Sequence, residues 1–248
     1  MLAVASFYLT TAALPPGLAR LVIAQLVLAA VATAVVFHHH AQLDAANLPR
    51  AIFASLALRA PRLPALIGAL LIGLTSWLPN SQLAVWVQAQ LGGSAEVPAL
   101  EELLRGPRLT LSIACLSLVP AFAEEIVFRG LWTRALTTRL GVTASCCLTA
   151  LAFGSYHLSF AQWLPTTLLG GLLAWATLRS NSLWTAITLH AVNNSVATMM
   201  ASGLVGALAR PILRYPSASL VLAVTTTLTG ILLVAATPPR QPRDASDR

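Results

Sequence analysis

The sequence predicts an all-α membrane protein, a polytopic bundle of about seven to eight transmembrane helices, and three observations support this prediction. Of the 248 residues, 57% are hydrophobic and only 9% are charged, and the mean hydropathy is +0.77. Soluble domains carry about 25% charged residues, so this chain lacks the polar groups to cover a water-facing surface. The apolar runs are continuous rather than alternating, and backbone inside a bilayer must bond internally, which favours helices.

Each predicted helix corresponds to one apolar segment. A bilayer core of about 30 Å needs about 20 residues in helical form. The second segment contains Pro79 and Asn80 and is expected to be one long or kinked helix. In chain order, the predicted spans are residues 21–37, 63–91, 109–137, 142–157, 163–178, 183–208 and 218–236, with 1–14 as a short eighth span or an interfacial segment.

The segments between the spans are predicted as links within a single domain that comprises residues 1–248. Residues 49–62 contain three arginines and are expected to lie at the membrane interface. Residues 92–108 contain three glutamates and are expected to form a polar loop. The tail 238–248 is polar and contains proline, which is typical of a terminal segment without fixed structure.

The basic residues indicate orientation and location. All fifteen are arginines that stand singly between apolar segments, as helix-end anchors do, and no basic run indicates a nucleic-acid partner despite the net charge of +7. More of them fall on the side of the C-terminal tail, so the positive-inside tendency predicts a cytoplasmic C-terminus. The Lys-free, Ala- and Leu-rich composition is typical of a GC-rich bacterium, so the expected location is a bacterial inner membrane.

Two adjacent carboxylates, Glu124 and Glu125, lie within an otherwise apolar helix. An acidic residue at the centre of a span costs about 2.5–3.5 kcal/mol, so two of them require polar surroundings. Arg129 follows Glu125 by four residues on the same helical face and can neutralise it. The pair can also serve packing alone, although ionisable groups inside a membrane are functional by default. Glu124 is expected to point about 100° away from Glu125.

Two histidines and an asparagine lie in other predicted spans. His157 ends the fourth span, and Asn194 follows His190 by one turn on the same face. Counted from the helix ends at 1.5 Å per residue, these side chains and Glu124 lie at depths of roughly 14 to 24 Å. A lone intramembrane histidine often serves a hydrogen bond between helices. Two histidines with a glutamate pair and an asparagine instead favour one buried polar cavity.

The motif content narrows the chemistry of this predicted cavity. An HExxH motif, an aspartate within a span and a GxSxG elbow are all absent, and the cysteines show no CxxC spacing, so no metal site is predicted. A carboxylate with imidazole and amide helpers can activate water, with Glu124 taking the proton and His157 holding the water. His190 and Asn194 are suited to stabilise an oxyanion. The expected reaction is peptide-bond hydrolysis without a cofactor, and zinc bound by two histidines and a glutamate is the alternative.

Three strings resemble the motifs of the CPBP family of CAAX proteases and bacteriocin-processing proteins. The strings are Glu124-Glu125-Ile-Val-Phe-Arg129, Phe153-Gly-Ser-Tyr-His157 and His190-Ala-Val-Asn-Asn194, which match EExxxR, FxxxH and HxxxN. The resemblance covers about residues 55–200. It implies an all-helical intramembrane glutamic endopeptidase, in a family that includes CAAX prenyl protease 2 and Abi-like proteins.

The resemblance also implies roles for the motif residues. The position of Glu124 is the general base in that family, and the position of His157 assists the water. The positions of His190 and Asn194 stabilise the oxyanion. The positions that support the site are Glu125, Arg129 and Phe153.

The resemblance further implies a substrate class. Prenylated CAAX proteins are the eukaryotic substrates, whereas a bacterial member is expected to process a protein or peptide that carries a C-terminal sorting or export signal. The expected partners are therefore membrane lipid and such a substrate. Two rival hypotheses are a non-catalytic immunity or scaffold protein of the same family and a small transporter that uses Glu124 as a proton carrier.

Overall fold

The fold is helical, and the predicted all-α class is confirmed. The computed structural model describes residues 1–15, 17–41, 48–91, 109–203 and 205–238, and this part of the chain contains no strand. In chain order its elements are α1 (Leu2–Ala13), α2 (Leu18–Ala41), α3 (Leu48–Ser55), α4 (Leu63–Thr75), α5 (Trp77–Leu91), α6 (Leu109–Glu125), a π-helical segment (Ile126–Thr133), α7 (Arg134–Tyr156), α8 (Phe160–Ser180), α9 (Leu183–Ala201), α10 (Gly206–Arg214) and α11 (Pro216–Ala236).

Membrane-spanning candidates dominate the described residues. Four stretches are long and apolar enough to cross a bilayer: Leu18–His39, Leu63–Leu91, Leu109–Tyr156 and Pro216–Ala236. The third stretch has 48 residues, more than the about 20 residues that one crossing needs. Its helix is interrupted at Gly141, whose φ of 75° lies in the left-handed region that glycine tolerates. The chain is therefore a helical membrane bundle, while the count of seven to eight crossings stays a prediction.

Two helix boundaries differ from the predicted ones, and each has a local cause. The long second span breaks at Ser76, between α4 and α5, whereas Pro79 lies in the first turn of α5, where proline removes no helical hydrogen bond. The sixth span ends at Ala201 rather than near residue 208, because the left-handed Gly203 (φ 72°) terminates α9. The polar loop predicted for 92–108 and the tail 239–248 lie outside the described residues.

The N-terminal apolar segment forms α1, which packs along α2. The rings of Phe7 and Tyr8 contact the ring of Tyr156 at the end of α7, with centroid distances of 5.1 and 5.8 Å. The Tyr8 hydroxyl also donates a hydrogen bond to the backbone carbonyl of Tyr156. These contacts fix the α1–α2 pair against the C-terminal end of α7.

Glycines allow α4 to approach α11 and α9 closely. A Cβ atom placed on Gly68 of α4 would lie 2.5 Å from the backbone oxygen of Gly230 in α11. A Cβ atom on Gly73 of α4 would lie 2.7 Å from the backbone oxygen of Leu189 in α9. Small residues serve this purpose inside membranes, where the hydrophobic effect does not drive helices together. The second contact positions α9, which carries His190.

Candidate active site

The two adjacent glutamates lie at the end of α6, directly before the π-helical segment. Glu124 is 4% exposed and Glu125 is fully buried. The segment comprises the eight residues Ile126–Thr133, and the Thr133 hydroxyl donates to the carbonyl of Phe128, five residues earlier. π-Helical turns inside α-helices are rare and occur frequently at functional sites. The unusual winding therefore begins where the candidate site begins.

Glu125 contacts two nitrogen-bearing side chains, the guanidinium of Arg129 and the imidazole of His190. Nη1 of Arg129 donates a hydrogen bond of 2.7 Å to Oε1 of Glu125, and both side chains are fully buried. Nδ1 of His190 lies 2.8 Å from the same Oε1 atom. The predicted neutralisation of Glu125 by Arg129 is therefore present. The contact from His190 joins α9 to α6.

Glu124 has a different set of partners. Nε2 of Gln25, on α2, donates a hydrogen bond of 2.8 Å to Oε1 of Glu124. Nε2 of His190 lies 3.9 Å from Oε2 of Glu124, which is longer than a hydrogen bond. The two carboxylates leave the helix in different directions, as expected. They nevertheless approach one imidazole, because its two nitrogens lie on different edges of the ring.

Phe153 packs at the centre of the site. Its ring lies 4.2 Å from the guanidinium carbon of Arg129, in cation–π contact. The same ring meets the imidazoles of His157 and His190 edge-on, with centroid distances of 4.9 and 5.8 Å. Nη2 of Arg129 donates to the backbone oxygen of Gly170 at 3.1 Å. These contacts hold Arg129 and both imidazoles in place.

His157 follows directly on the last residue of α7. Its Nδ1 lies 2.9 Å from the backbone oxygen of Phe153. Because a carbonyl oxygen only accepts, Nδ1 carries the hydrogen, and Nε2 of the neutral ring is an acceptor. A water molecule that donates to this nitrogen would be held by it.

The carboxamide of Asn194 is the last of the four predicted groups. Its Oδ1 accepts a hydrogen bond of 3.4 Å from Nδ2 of Asn193. Oδ1 of Asn193 in turn accepts from the hydroxyl of Ser76, at 3.0 Å, where α4 meets α5. This chain of contacts engages the oxygen of Asn194 and leaves its N–H groups as donors.

One cavity of about 410 Å³ brings the predicted residues together. Its lining includes Glu124, His157, His190 and Asn194, contributed by α6, the end of α7 and α9. Phe153 also lines it, whereas Glu125 and Arg129 lie behind the wall. Within the described residues, no group of three or more His, Cys, Asp and Glu side chains is arranged to hold a metal ion.

Sequence reasoning missed three polar side chains that complete the site: Gln25, Ser76 and Asn193. Each is buried, with 4 to 6% of its surface exposed. The sequence could have indicated Gln25, because it is a single carboxamide in an otherwise apolar span. Nothing in the sequence indicated Asn193 beyond its position next to Asn194.

Comparison with known proteins relates the central part of the chain to a protease family. Residues 106–196 match a family model described as type II CAAX prenyl endopeptidase Rce1-like. Neither the curated proteins nor the solved structures contain a match. The matched segment includes all three motif strings but excludes α1 and α2. Over these residues the chain is similar to the Rce1-like endopeptidases, a protease family, and the resemblance to the CPBP proteases is confirmed.

Proposed function

We propose that this chain is an intramembrane endopeptidase that hydrolyses a peptide bond near the C-terminus or sorting signal of a membrane-associated protein or peptide. One observation carries the proposal: the buried Glu124 lines the same cavity as His157, His190 and Asn194. The family match over residues 106–196 supports peptidase activity in a membrane. The glutamic mechanism and the substrate signal are our inference.

Glu124 is the general base in this proposal. Its Oε1 atom is engaged by Gln25, whereas Oε2 has no hydrogen bond among the described residues. Oε2 lies 3.9 Å from Nε2 of His190, too far for a direct hydrogen bond, so it can accept one from a water molecule in the cavity. Nε2 of His157 accepts a hydrogen bond from the same water, which orients a lone pair of its oxygen toward the scissile carbonyl.

His190 stabilises the oxyanion through Nε2, the ring nitrogen that faces Glu124. Its Nδ1 faces a carboxylate oxygen of Glu125, which only accepts, so Nδ1 carries a hydrogen. Nε2 then donates only when it is protonated as well, which makes the ring an imidazolium.

The proposed step conserves the net charge of the site. The water oxygen bonds to the carbonyl carbon, its proton moves to Glu124, and the carbonyl electron pair becomes the oxyanion. The oxyanion replaces the negative charge that Glu124 loses, so the net charge of the cluster is unchanged by the step. The N–H groups of Asn194 supply a second donor. Collapse of the intermediate breaks the C–N bond, and Glu124 returns the proton to the leaving amine.

The test compares the wild-type chain with Glu124→Gln in lipid nanodiscs. The probes are quenched fluorescent peptides that end in a Cys-aliphatic-aliphatic-X sequence, with and without a farnesyl group, and a set with varied C-terminal residues. Loss of a general base is expected to lower the cleavage rate by about 10²- to 10⁴-fold. His39→Gln, at the end of α2 and outside the cavity lining, is the control variant and should cleave normally.

Each other outcome identifies a rival. Cleavage by Glu124→Gln at the wild-type rate contradicts the base assignment. A folded wild-type chain that cleaves no peptide favours the non-catalytic immunity or scaffold hypothesis, and proton-coupled flux in liposomes would indicate the transporter. Loss of activity after exhaustive EDTA treatment, restored by added zinc, would establish the zinc-dependent variant of the protease.

A further inference from the structure

Gln25 reaches the candidate site from a helix outside the matched segment. It belongs to α2, and its side chain is buried, with 6% of the residue exposed. Besides the bond of 2.8 Å to Oε1 of Glu124, its Nε2 lies 3.5 Å from the hydroxyl oxygen of Tyr156. The match over residues 106–196 does not include it. Nothing in the three motif strings therefore assigns it a role.

We propose that Gln25 is a positioning residue that fixes the orientation of the Glu124 carboxylate, an inference that rests on the proposed function. The terminal torsion of a glutamate side chain is broad, so an unheld carboxylate turns freely. With Oε1 held by Gln25, Oε2 is the oxygen left to accept a proton from water. Gln25 thus determines which oxygen acts and where its lone pairs point.

The chemistry of a carboxamide suits this role. Its N–H groups stabilise an ionised carboxylate without adding a charge, so the charge balance among Glu124, Glu125, Arg129 and His190 is unchanged. A basic residue at this position would add a positive charge, and an acidic one would repel Glu124. Oε1 of Gln25 is buried and has no hydrogen-bond partner among the described residues. Such unsatisfied groups are uncommon, and this one arises because the carboxamide is turned with its N–H group toward Glu124.

The surroundings of Gln25 restrict its movement. Tyr156, whose hydroxyl lies beside Gln25, also accepts the hydrogen bond from Tyr8 on its backbone carbonyl. The ring contacts of Phe7 and Tyr8 with Tyr156 hold α1 against the end of α7. Because α1 packs along α2, the N-terminal helix pair is docked on the element that carries His157. The carboxamide is therefore presented to Glu124 by a fixed support.

The first test measures cleavage kinetics of Gln25→Met on any peptide that the wild-type chain cleaves. A hydrogen bond to a charged group is lost, so kcat is expected to fall about 10- to 100-fold, with a smaller change in KM because methionine keeps the length of the side chain that lines the cavity. Gln25→His keeps an N–H donor and should retain more activity. The matched control is Thr33→Val on the same helix, since Thr33 donates to the backbone oxygen of Ala29, four residues earlier on that helix.

The second test needs no activity and measures thermal unfolding of the Gln25→Glu, Glu124→Gln and double variants. Gln25→Glu alone sets two carboxylates against each other and should lower Tm. The double variant restores a donor–acceptor pair with the partners exchanged. Its Tm should therefore exceed the value that the two single variants predict by addition, although the exchange leaves it inactive.

The outcomes separate the two proposals. A wild-type chain that cleaves none of the peptides contradicts the proposed function. The Tm values of the single and double variants still test whether Gln25 and Glu124 interact. Additive shifts in Tm would show that the two side chains do not interact and would overturn the role of Gln25. A kcat for Gln25→Met equal to that of the wild type would overturn it as well, even with a coupled cycle. If Gln25→Met does not fold, Gln25→His takes its place in the kinetic test. A kcat below that of the wild type then supports the role of Gln25, and a kcat equal to that of the wild type overturns it.

Discussion

The bundle has two apolar clusters, and the polar residues near them differ in their hydrogen-bond partners. The first, here called the site side, surrounds Phe128 and Phe153 and takes its residues from α1, α2, α6, the π segment, α7 and α9. The second, here called the scaffold side, surrounds Leu173 and Leu189 and takes its residues from α4, α8, α9 and α11. On the site side, polar side chains such as Gln25 bind side chains of other helices. On α11, Thr hydroxyls mostly bind carbonyls of their own helix.

The difference shows which polar residues in a membrane helix indicate function. Ser and Thr satisfy themselves on the carbonyl three or four residues earlier, so they need no partner. Glutamine, glutamate, arginine and histidine cannot do so fully and need further polar partners, as Gln25 and His190 find on other helices. On the scaffold side, the close approach of Gly68 and Gly230 acts together with a hydrogen bond from Arg179 on α8 to the backbone oxygen of Ala235 on α11. Changes on the site side should therefore alter stability and activity together, and changes on the scaffold side should alter stability alone.

The largest effect is expected for Arg129→Met on the site side. Arg129 is fully buried and pairs with Glu125 at 2.7 Å, so its removal leaves an uncompensated carboxylate. Breaking a buried pair costs about 3–5 kcal/mol. Chemical or thermal unfolding in detergent would measure this loss, and the cleavage assay would measure the accompanying loss of activity.

A double variant tests the reason for that loss. Glu125→Gln combined with Arg129→Met removes both charges and should recover part of the stability, because no unpaired ion is left. It should not recover cleavage, since the contact that holds His190 is changed. Equal instability of the single and double variants would contradict the pairing argument.

An intermediate effect is expected for Gly170→Ala, with Gly171→Ala as its matched control. A Cβ atom on Gly170 would lie 3.0 Å from the ring of Phe153 and 3.3 Å from Nη2 of Arg129, so both must shift. Overpacking of this kind costs about 1–3 kcal/mol. A Cβ atom on Gly171 would lie at an ordinary 3.6 Å from Ala150. Measured Tm and cleavage should both fall for the first variant only, and equal behaviour of the two would contradict the geometry.

The smallest effect is expected for Thr227→Val on the scaffold side. The hydroxyls of Thr75 and Thr227 share a hydrogen bond of 2.8 Å between α4 and α11. Hydrogen bonds between membrane helices average about 0.6 kcal/mol. Unfolding should show a loss of that order while kcat stays at the wild-type value. A clear fall in kcat without loss of stability would remove the distinction between the two sides.

Much of the fold follows from local patterns in the sequence. Continuous apolar runs locate α2, α4, α7, α8 and α11, because backbone in a bilayer forms helices wherever the side chains are apolar enough. The gathering of Glu124, His157, His190 and Asn194 around one cavity also agrees with depths counted along the helices. Their catalytic roles stay predictions until cleavage is measured.

Other features depend on contacts that local patterns do not encode. Gln25 meets Glu124 across a separation of 99 residues, and a single carboxamide in a span has no periodicity that names its partner. The break at Ser76 arises where its hydroxyl binds Asn193 in another helix. The π-helical segment was not predicted, since α and π turns differ by one residue in their hydrogen bonding and no proline or glycine pattern indicates the change.

The π-helical segment has a consequence for the phase of the helix that follows it. Each residue added or removed rotates the rest of a helix by about 100°. The present phase lets Thr133 bond to Thr149 and Arg134 bond to Asn181. Shortening the segment by one residue would allow ordinary α winding but would swing both side chains away from these partners. The π-helical winding therefore sets the rotational alignment of α7 relative to the glutamate pair.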